Sequence, residues 1–196
     1  MSAEKKDKES ASQHDLKNKL KSLAPASALA LEVPMDKYFD LIAELIDNFA
    51  KTKNLECIYL LASLPSSTMI NALEALSVDT ARIRFIDCVT RMIFGEAAPS
   101  GAIDYIERPT MLENIILKVD YFMRKNTAKN PLVIIDSINA LEAHNGLGIL
   151  SEFLQVLLNM LRSKGAHSVL MFIKEQTKDE ARETLSLLVD EYVDFS

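Results

Sequence analysis

Short runs of aliphatic residues alternate with longer amphipathic segments from residue 28 to the end of the chain. This alternation is typical of α/β domains in which helices cover a largely parallel sheet. Six runs are predicted to be strands: residues 28–33, 57–61, 83–87, 132–135, 169–173 and 191–195. A weaker run, AIDYIE at 102–107, precedes Pro109 and is a candidate for a seventh strand at an edge of the sheet.

Four segments between these strands carry apolar residues at three- and four-residue spacing, which predicts helices with one buried face. They are residues 38–49, 68–76, 111–123 and 149–161. Ser66 is predicted to cap the second helix with its hydroxyl. Residues 91–102 concentrate Gly, Pro and Ser and are predicted to form an exposed loop. Met92, Ile93 and Phe94 of that loop form either a partner contact or a buried edge of the core.

The length of 196 residues and the hydrophobic fraction of 48% indicate one domain, which we place at residues 27–196. Residues 1–26 form a charged tail without aromatic residues, and its first dozen residues are predicted to be disordered. Leu16, Leu20 and Leu23 recur at helical spacing in the tail, so a short helix there docks on the domain or meets a partner.

Composition also restricts the class of protein. No apolar run approaches the roughly 20 residues of a membrane helix and no signal peptide is recognisable, so we expect a soluble, cytoplasmic protein. The formal charge of −6 disfavours nucleic-acid binding. Cys57 and Cys88 lie in apolar runs and are expected to be buried thiols. His14, His144 and His167 are far apart in the sequence, and no metal site is predicted.

Three motifs carry a resemblance to a known family: LVIIDSINAL at 132–141, SVLMFIKEQ at 168–176 and LVDEYVDF at 188–195. In their order and spacing, residues 28–196 resemble the RecA-like ATPase core, especially its archaeal KaiC-like branch. The resemblance implies a three-layer αβα domain with a mostly parallel sheet. It identifies Asp136 with the Walker B carboxylate, and it implies a homo- or hetero-oligomer because members of the family assemble as rings or filaments.

The phosphate-binding loop of that family is missing. It lies between the first strand and the first helix, where glycines let backbone N–H groups close around phosphates. Here the segment reads LEVPMDKYFDL at 31–41, and the chain has no glycine before Gly95. Pro34 has no N–H to donate, and Glu32 and Asp36 add negative charge. Lys37 falls near the position of the family's phosphate-binding lysine, and Tyr38 replaces the small hydroxyl residue that follows it.

The residue that activates water in the family is missing too. RecA-like ATPases usually carry a Glu at the end of the second strand. This chain reads LLASLPSS at 60–67, and it has no carboxylate between Cys57 and Leu73. Two separate parts of ATP hydrolysis are therefore absent from the sequence, and no catalytic residue is predicted.

These losses favour a non-catalytic RecA/KaiC-like domain, a pseudo-ATPase without a cofactor, that acts through protein contacts as a regulatory or scaffolding subunit. In this interpretation Asp136 caps the turn that begins at Ser137. The alternative is a nucleotide-binding domain or weak ATPase with an altered loop, in which Lys37 contacts phosphate and Asp136 positions magnesium. A domain that binds another small molecule at the same edge of the sheet is a third interpretation. The segment EAHNGLG at 142–148, where DNA-binding relatives have their loops, contains no Lys or Arg, which argues against DNA binding.

Overall fold

The computed structural model describes residues 23–97, 100–125 and 131–195. The predicted disorder of the first dozen residues, and the positions of Leu16 and Leu20, lie outside the described residues. Leu23, the third leucine of that stripe, is 4% exposed and belongs to the hydrophobic core. At least this end of the tail therefore packs on the domain.

The chain folds into a seven-stranded sheet in which every strand pair is parallel. The strands are β1 (Ala28–Val33), β2 (Cys57–Leu61), β3 (Ile83–Asp87), β4 (Ile103–Tyr105), β5 (Leu132–Asp136), β6 (His167–Ile173) and β7 (Glu191–Asp194). Their order across the sheet is β4-β3-β2-β5-β6-β1-β7. All six predicted strands are present, and the weaker run forms the predicted edge strand β4.

Seven α-helices connect the strands within the described residues. They are α1 (Tyr38–Glu44), α2 (Ser66–Ala75), α3 (Thr90–Phe94), α4 (Leu112–Lys125), α5 (Ile138–Asn145), α6 (Leu147–Ser163) and α7 (Asp179–Ser186). A π-helical segment, Leu45–Ala50, continues α1. The four predicted helices correspond to α1 with its extension, α2, α4 and α6.

Helices pack on both faces of the sheet, which makes three layers. Alternate residues of a strand point to opposite faces of the sheet. In β1, Leu29 and Leu31 face α1 and α2, whereas Ala28 and Ala30 face the side covered by α4 to α7. The central strands β5 and β6 are buried along their whole length, as expected for parallel strands covered on both sides. The predicted three-layer α/β fold is confirmed.

Two segments that were expected to form loops contain helical residues. The expected loop at 91–102 begins with the helix α3, which starts directly after β3. Met92, Ile93 and Phe94 are 41%, 55% and 69% exposed, so they do not form a buried edge of the core. The segment 142–148, where the resemblance implies a loop, is mostly helical, because only Gly146, with φ of 78°, separates α5 from α6. Glycine tolerates this backbone conformation, which lets one helix end and the next begin at once.

Both cysteines are buried free thiols, as predicted, and burial raises the pKa of Cys57 to about 12. None of the helices in the described ranges is both long and apolar enough to cross a membrane.

Candidate functional site at the carboxyl edge of the sheet

Three carboxylates lie fully buried at the carboxyl ends of strands: Glu32 on β1, Asp87 on β3 and Asp136 on β5. In open parallel sheets ligands bind at this edge. A buried carboxylate is stable only if hydrogen bonds or opposite charge compensate for its lost hydration. The partners of each carboxylate therefore indicate what this edge can do.

Asp136 is held by two tyrosines. Its Oδ2 accepts hydrogen bonds from the hydroxyls of Tyr38 and Tyr59, the latter at 2.6 Å. Tyr38 is the first residue of α1 and Tyr59 lies in the middle of β2, and both are buried. These contacts tie the first helix to two central strands through one carboxylate oxygen.

The other oxygen of Asp136, Oδ1, is buried and has no hydrogen-bond partner among the described residues. Burial raises the pKa of Asp136 to about 6, and the two tyrosine hydroxyls only partly oppose it. Burial and the nearby Asp136 carboxylate also raise the pKa of both tyrosines, so their hydroxyls remain hydrogen-bond donors.

Asp136 does not cap the helix that follows it, so that interpretation is wrong. The adjacent Ser137 does so instead: its Oγ accepts the N–H of Ala140 at 3.2 Å, at the start of α5. Leu132 and Ile134 of β5 pack on the face of the sheet that α1 covers. Asp136 is the next alternate residue of this strand, so its side chain points to the same face, towards α1.

The turn between β1 and α1 is short and internally hydrogen-bonded. Pro34 is extended, residues Met35–Lys37 form one 3₁₀ turn, and the N–H of Lys37 donates to the Pro34 carbonyl at 3.0 Å. The N–H of Met35 donates to the carboxylate of Glu175, at 3.1 and 3.3 Å from its two oxygens. The partly exposed Lys37 ends the turn, one residue before Tyr38. A carboxylate of the chain itself thus lies at the start of this turn.

Asp87 accepts four hydrogen bonds. Its Oδ1 accepts the N–H groups of Val89 and Thr90, both at 2.8 Å, and its Oδ2 accepts the N–H of Ser66 at 2.7 Å and the Thr90 hydroxyl at 2.6 Å. Burial acts to raise the pKa of Asp87, but these bonds outweigh it and the pKa lies below its usual range. Asp87, rather than Ser66, satisfies the start of α2, and the predicted Ser66 cap is wrong.

Glu32 is paired on the other face of the sheet. Its carboxylate accepts hydrogen bonds from Arg182 of α7, at 2.9 Å from Nε and 2.5 Å from Nη2, and from the Tyr192 hydroxyl of β7. Burial acts to raise the pKa of Glu32, but the bonds from Arg182 and Tyr192 outweigh it and lower the pKa. The negative charge expected beside the β1–α1 turn is thus compensated by an arginine.

Replacing Arg182 with Met is expected to lower the free energy of unfolding by about 2 kcal/mol, because it leaves Glu32 buried without its cation. The value is below that of a fully buried pair because the Arg182 side chain is 34% exposed. Urea denaturation at pH 7 measures the change. Arg162→Met is a matched control, since Arg162 is 32% exposed and its partner Asp190 is 50% exposed. Equal losses in the two variants would contradict a special role for the buried pair.

The described residues contain no group of three or more His, Cys, Asp or Glu side chains placed to hold a metal ion. His144 lies on α5, whereas His167 is buried at the start of β6, 5.4 Å from the ring of Phe49. Burial lowers the pKa of His167.

No protein-family model matches the sequence, and no curated protein matches it. Among solved structures, the chain is similar to a KaiC-like protein from the hyperthermophilic archaeon Pyrococcus horikoshii, with a TM-score of 0.59. The match covers 89% of this chain and 74% of the archaeal one, at 11% sequence identity. At this identity the likeness concerns the fold, and the chain has an α/β fold of the KaiC-like, RecA type.

Proposed function

We propose that this chain is a non-catalytic KaiC-like domain that acts through protein contacts as a regulatory or scaffolding subunit. The observation that carries the proposal is the hydrogen bond from the Tyr38 hydroxyl to Asp136. By resemblance, Asp136 is the carboxylate that positions magnesium in an active relative, and Tyr38 stands where a small hydroxyl residue completes that site.

Tyr38 is a poor replacement for a magnesium ligand. Magnesium requires nearly octahedral oxygen ligands at about 2.0–2.1 Å and usually keeps several waters. The Tyr38 side chain is 3% exposed and packs among the core residues of the α1 face. Its hydroxyl donates directly to Asp136, so the contact joins two protein groups where a metal and its waters would need room.

The β1–α1 turn supports the same proposal. A phosphate site at a helix start requires several backbone N–H groups that converge on one anion. In this turn the Lys37 N–H is bonded to a carbonyl of the turn, and the Met35 N–H is bonded to Glu175. A phosphate approaching Met35 would also meet the negative charge of Glu175.

The residues near β2 offer no replacement for the missing base. Two carboxylates pair with Leu61 at the end of β2. One is Asp136, which accepts the hydrogen bonds of Tyr38 and Tyr59. The other is Asp87. All four of its hydrogen bonds come from backbone N–H groups and one hydroxyl of the protein. A carboxylate with a lowered pKa and fully used oxygens is unsuited to accept a proton from water.

One observation favours the second candidate, a nucleotide-binding domain or weak ATPase that uses Lys37 and Asp136. The buried Oδ1 of Asp136 has no partner among the described residues, and buried polar atoms are rarely left in this state. In this second function a bound magnesium–nucleotide complex would satisfy that oxygen after Tyr38 moves away.

Thermal unfolding of the full chain in millimolar ATP and magnesium tests the proposal. A ligand present at 100 times its Kd stabilises the folded state by about 2.7 kcal/mol, which gives a readily measured rise in Tm. We expect no rise and no phosphate release. A rise in the wild type that is lost in Lys37→Ala would establish the second function and overturn the first. ADP without magnesium serves as the control for weak binding of the adenine ring.

A further inference from the structure

Exposed apolar side chains concentrate at one end of the sheet. Of eleven large hydrophobic residues that are exposed in the described structure, six belong to the segment from α3 to α4. They are Met92, Ile93, Phe94, Met111, Leu117 and Tyr121. We call this segment, with the edge strand β4, the β4 end. Monomeric proteins seldom expose a concentrated apolar surface of this kind without a binding role.

A groove connects the elements of the β4 end. It has a volume of about 390 Å³ and is lined by Arg91 of α3, by Tyr105 of β4, and by Leu117 and Tyr121 of α4. β4 is the last strand of the sheet, and β3 is its only partner strand in the described residues. Ile103 at its start is bridged to Ser100 of the same chain, which leaves the rest of the outer edge open to another chain. Apolar side chains, aromatic rings and an open strand edge therefore occur together.

The charge of the β4 end favours a second copy of this chain as its occupant. Residues 90–125 contain five basic and five acidic residues and are net neutral, whereas the whole chain carries −6. Residues 174–195, which include the opposite edge strand β7, contain three basic and seven acidic residues, a net charge of −4. Like charges repel when two surfaces meet. A second copy of this chain therefore meets no net repulsion at the β4 end.

The charges of the β4 end are also arranged in pairs of opposite sign. Arg91 lies 2.6 Å from Glu107, and Lys118 lies 3.0 Å from Asp104. These four side chains are all partly exposed, so each can also face the opposite charge of another copy. In a two-fold dimer the same patch of both subunits must be complementary to itself, which mixed charges around apolar residues provide.

We propose that the β4 end is a self-association surface that binds the β4 end of a second copy of this chain. Leu117 lies in its groove, and Phe94 is its most exposed apolar residue. The two ion pairs supply its charges of both signs. A stable interface of this kind buries about 800 Å² on each partner. The inference rests on the proposed action through protein contacts and names one partner, the chain itself.

Sedimentation equilibrium of the full chain, over roughly 1–100 µM, tests the proposal. The wild type is expected to dimerise, and Leu117→Glu to raise the dimer dissociation constant at least tenfold, because two carboxylates would meet across the interface. Phe94→Glu, on a different helix, is expected to act in the same way. Ile149→Glu on α6 is the matched control, since Ile149 is 59% exposed and Leu117 is 66% exposed. Far-ultraviolet circular dichroism verifies that each variant is folded.

A wild type that remains monomeric at the highest concentration overturns the proposal, and so does equal weakening by Leu117→Glu and Ile149→Glu. Measuring ATP binding and hydrolysis on the same samples distinguishes a failure of self-association from a failure of the proposed function. Binding or hydrolysis of ATP by the wild type would overturn the non-catalytic function and leave the dimer in place. A monomer that ignores ATP would overturn self-association alone.

Discussion

At pH 8, replacing Asp136 with Asn is expected to raise the free energy of unfolding by up to about 3 kcal/mol. Asp136 is completely buried, and burial raises its pKa from 3.8 to about 6, against the opposing hydrogen bonds of Tyr38 and Tyr59. A shift of about two pKa units corresponds to about 3 kcal/mol against the charged form in the folded protein. Asn has nearly the same shape and an oxygen that accepts from both tyrosines, but it carries no charge.

The gain has a definite dependence on pH. In the unfolded chain the carboxyl group ionises near pH 3.8, whereas in the folded protein it keeps its proton until about pH 6. The folded state therefore binds more protons between these values, and stability falls as pH rises through this window. Above pH 6 the full penalty is present. Asp136→Asn should thus have little effect at pH 4 and its full effect above pH 7.

Urea denaturation of the wild type and Asp136→Asn at several values between pH 4 and pH 8 measures this difference. Other titrating groups, such as His167, are common to both proteins and cancel in the comparison. Asp79→Asn is the control, because Asp79 is exposed and its one hydrogen bond among the described residues is accepted from the N–H of Ala81. A gain that does not change with pH would contradict the buried ionisable carboxylate.

The same measurement bears on nucleotide binding. If Asp136→Asn lowers stability at neutral pH when magnesium is present, and raises it when magnesium is removed, the carboxylate is stabilised by the cation. That result would favour the second function over the non-catalytic one. With no bound cation, the magnesium concentration should leave the difference between the two proteins unchanged.

The four central strands β2, β5, β6 and β1 could be predicted because each is largely an apolar run, which in a parallel sheet covered on both faces is the direct consequence of burial. The helices α1, α2, α4 and α6 were predictable for a related reason, since each buries one stripe of apolar residues. The sequence did not predict α7, whose eight residues contribute only Ala181 and Leu185 to burial. Its position depends on Arg182 reaching Glu32, 150 residues earlier in the chain.

The candidate site was predictable only in part. The absence of glycine and the bulk of Tyr38 could be recognised in one segment of sequence. The hydrogen bond between Tyr38 and Asp136 joins residues 98 positions apart and depends on the order of the strands, which no local pattern encodes. For the same reason, the sequence identifies Asp87 only as the end of a strand. Its partner Ser66 follows β2, and the two meet because β2 and β3 are neighbours.

Replacing Asp87 with Ala is expected to lower the free energy of unfolding by about 4 kcal/mol, the largest loss we predict for a single substitution. The change removes the acceptor of three backbone N–H groups, those of Ser66, Val89 and Thr90, at the starts of α2 and α3. Each buried donor left without a partner costs about 1–3 kcal/mol, and water that enters the space left by the side chain reduces the sum. Urea denaturation at pH 7 measures the loss.

Two further variants, Asp87→Asn and Asp79→Ala, are the controls for the loss of stability in Asp87→Ala. Asn keeps one acceptor oxygen and should lose about half as much, whereas Asp79→Ala removes one exposed bond and should change stability by less than about 0.5 kcal/mol. Because the pKa of Asp87 is lowered in the folded protein, its contribution is present above pH 4 and is lost as pH falls further. The loss of stability in Asp87→Ala should therefore shrink in acid, where Asp136→Asn has little effect. Asp87 and Asp136 both pair with Leu61 at the end of β2. We expect their replacement to change stability in opposite directions, because four donors surround Asp87 and only two surround Asp136. Changes of the same sign in Asp136→Asn and Asp87→Ala at pH 8 would contradict this expectation.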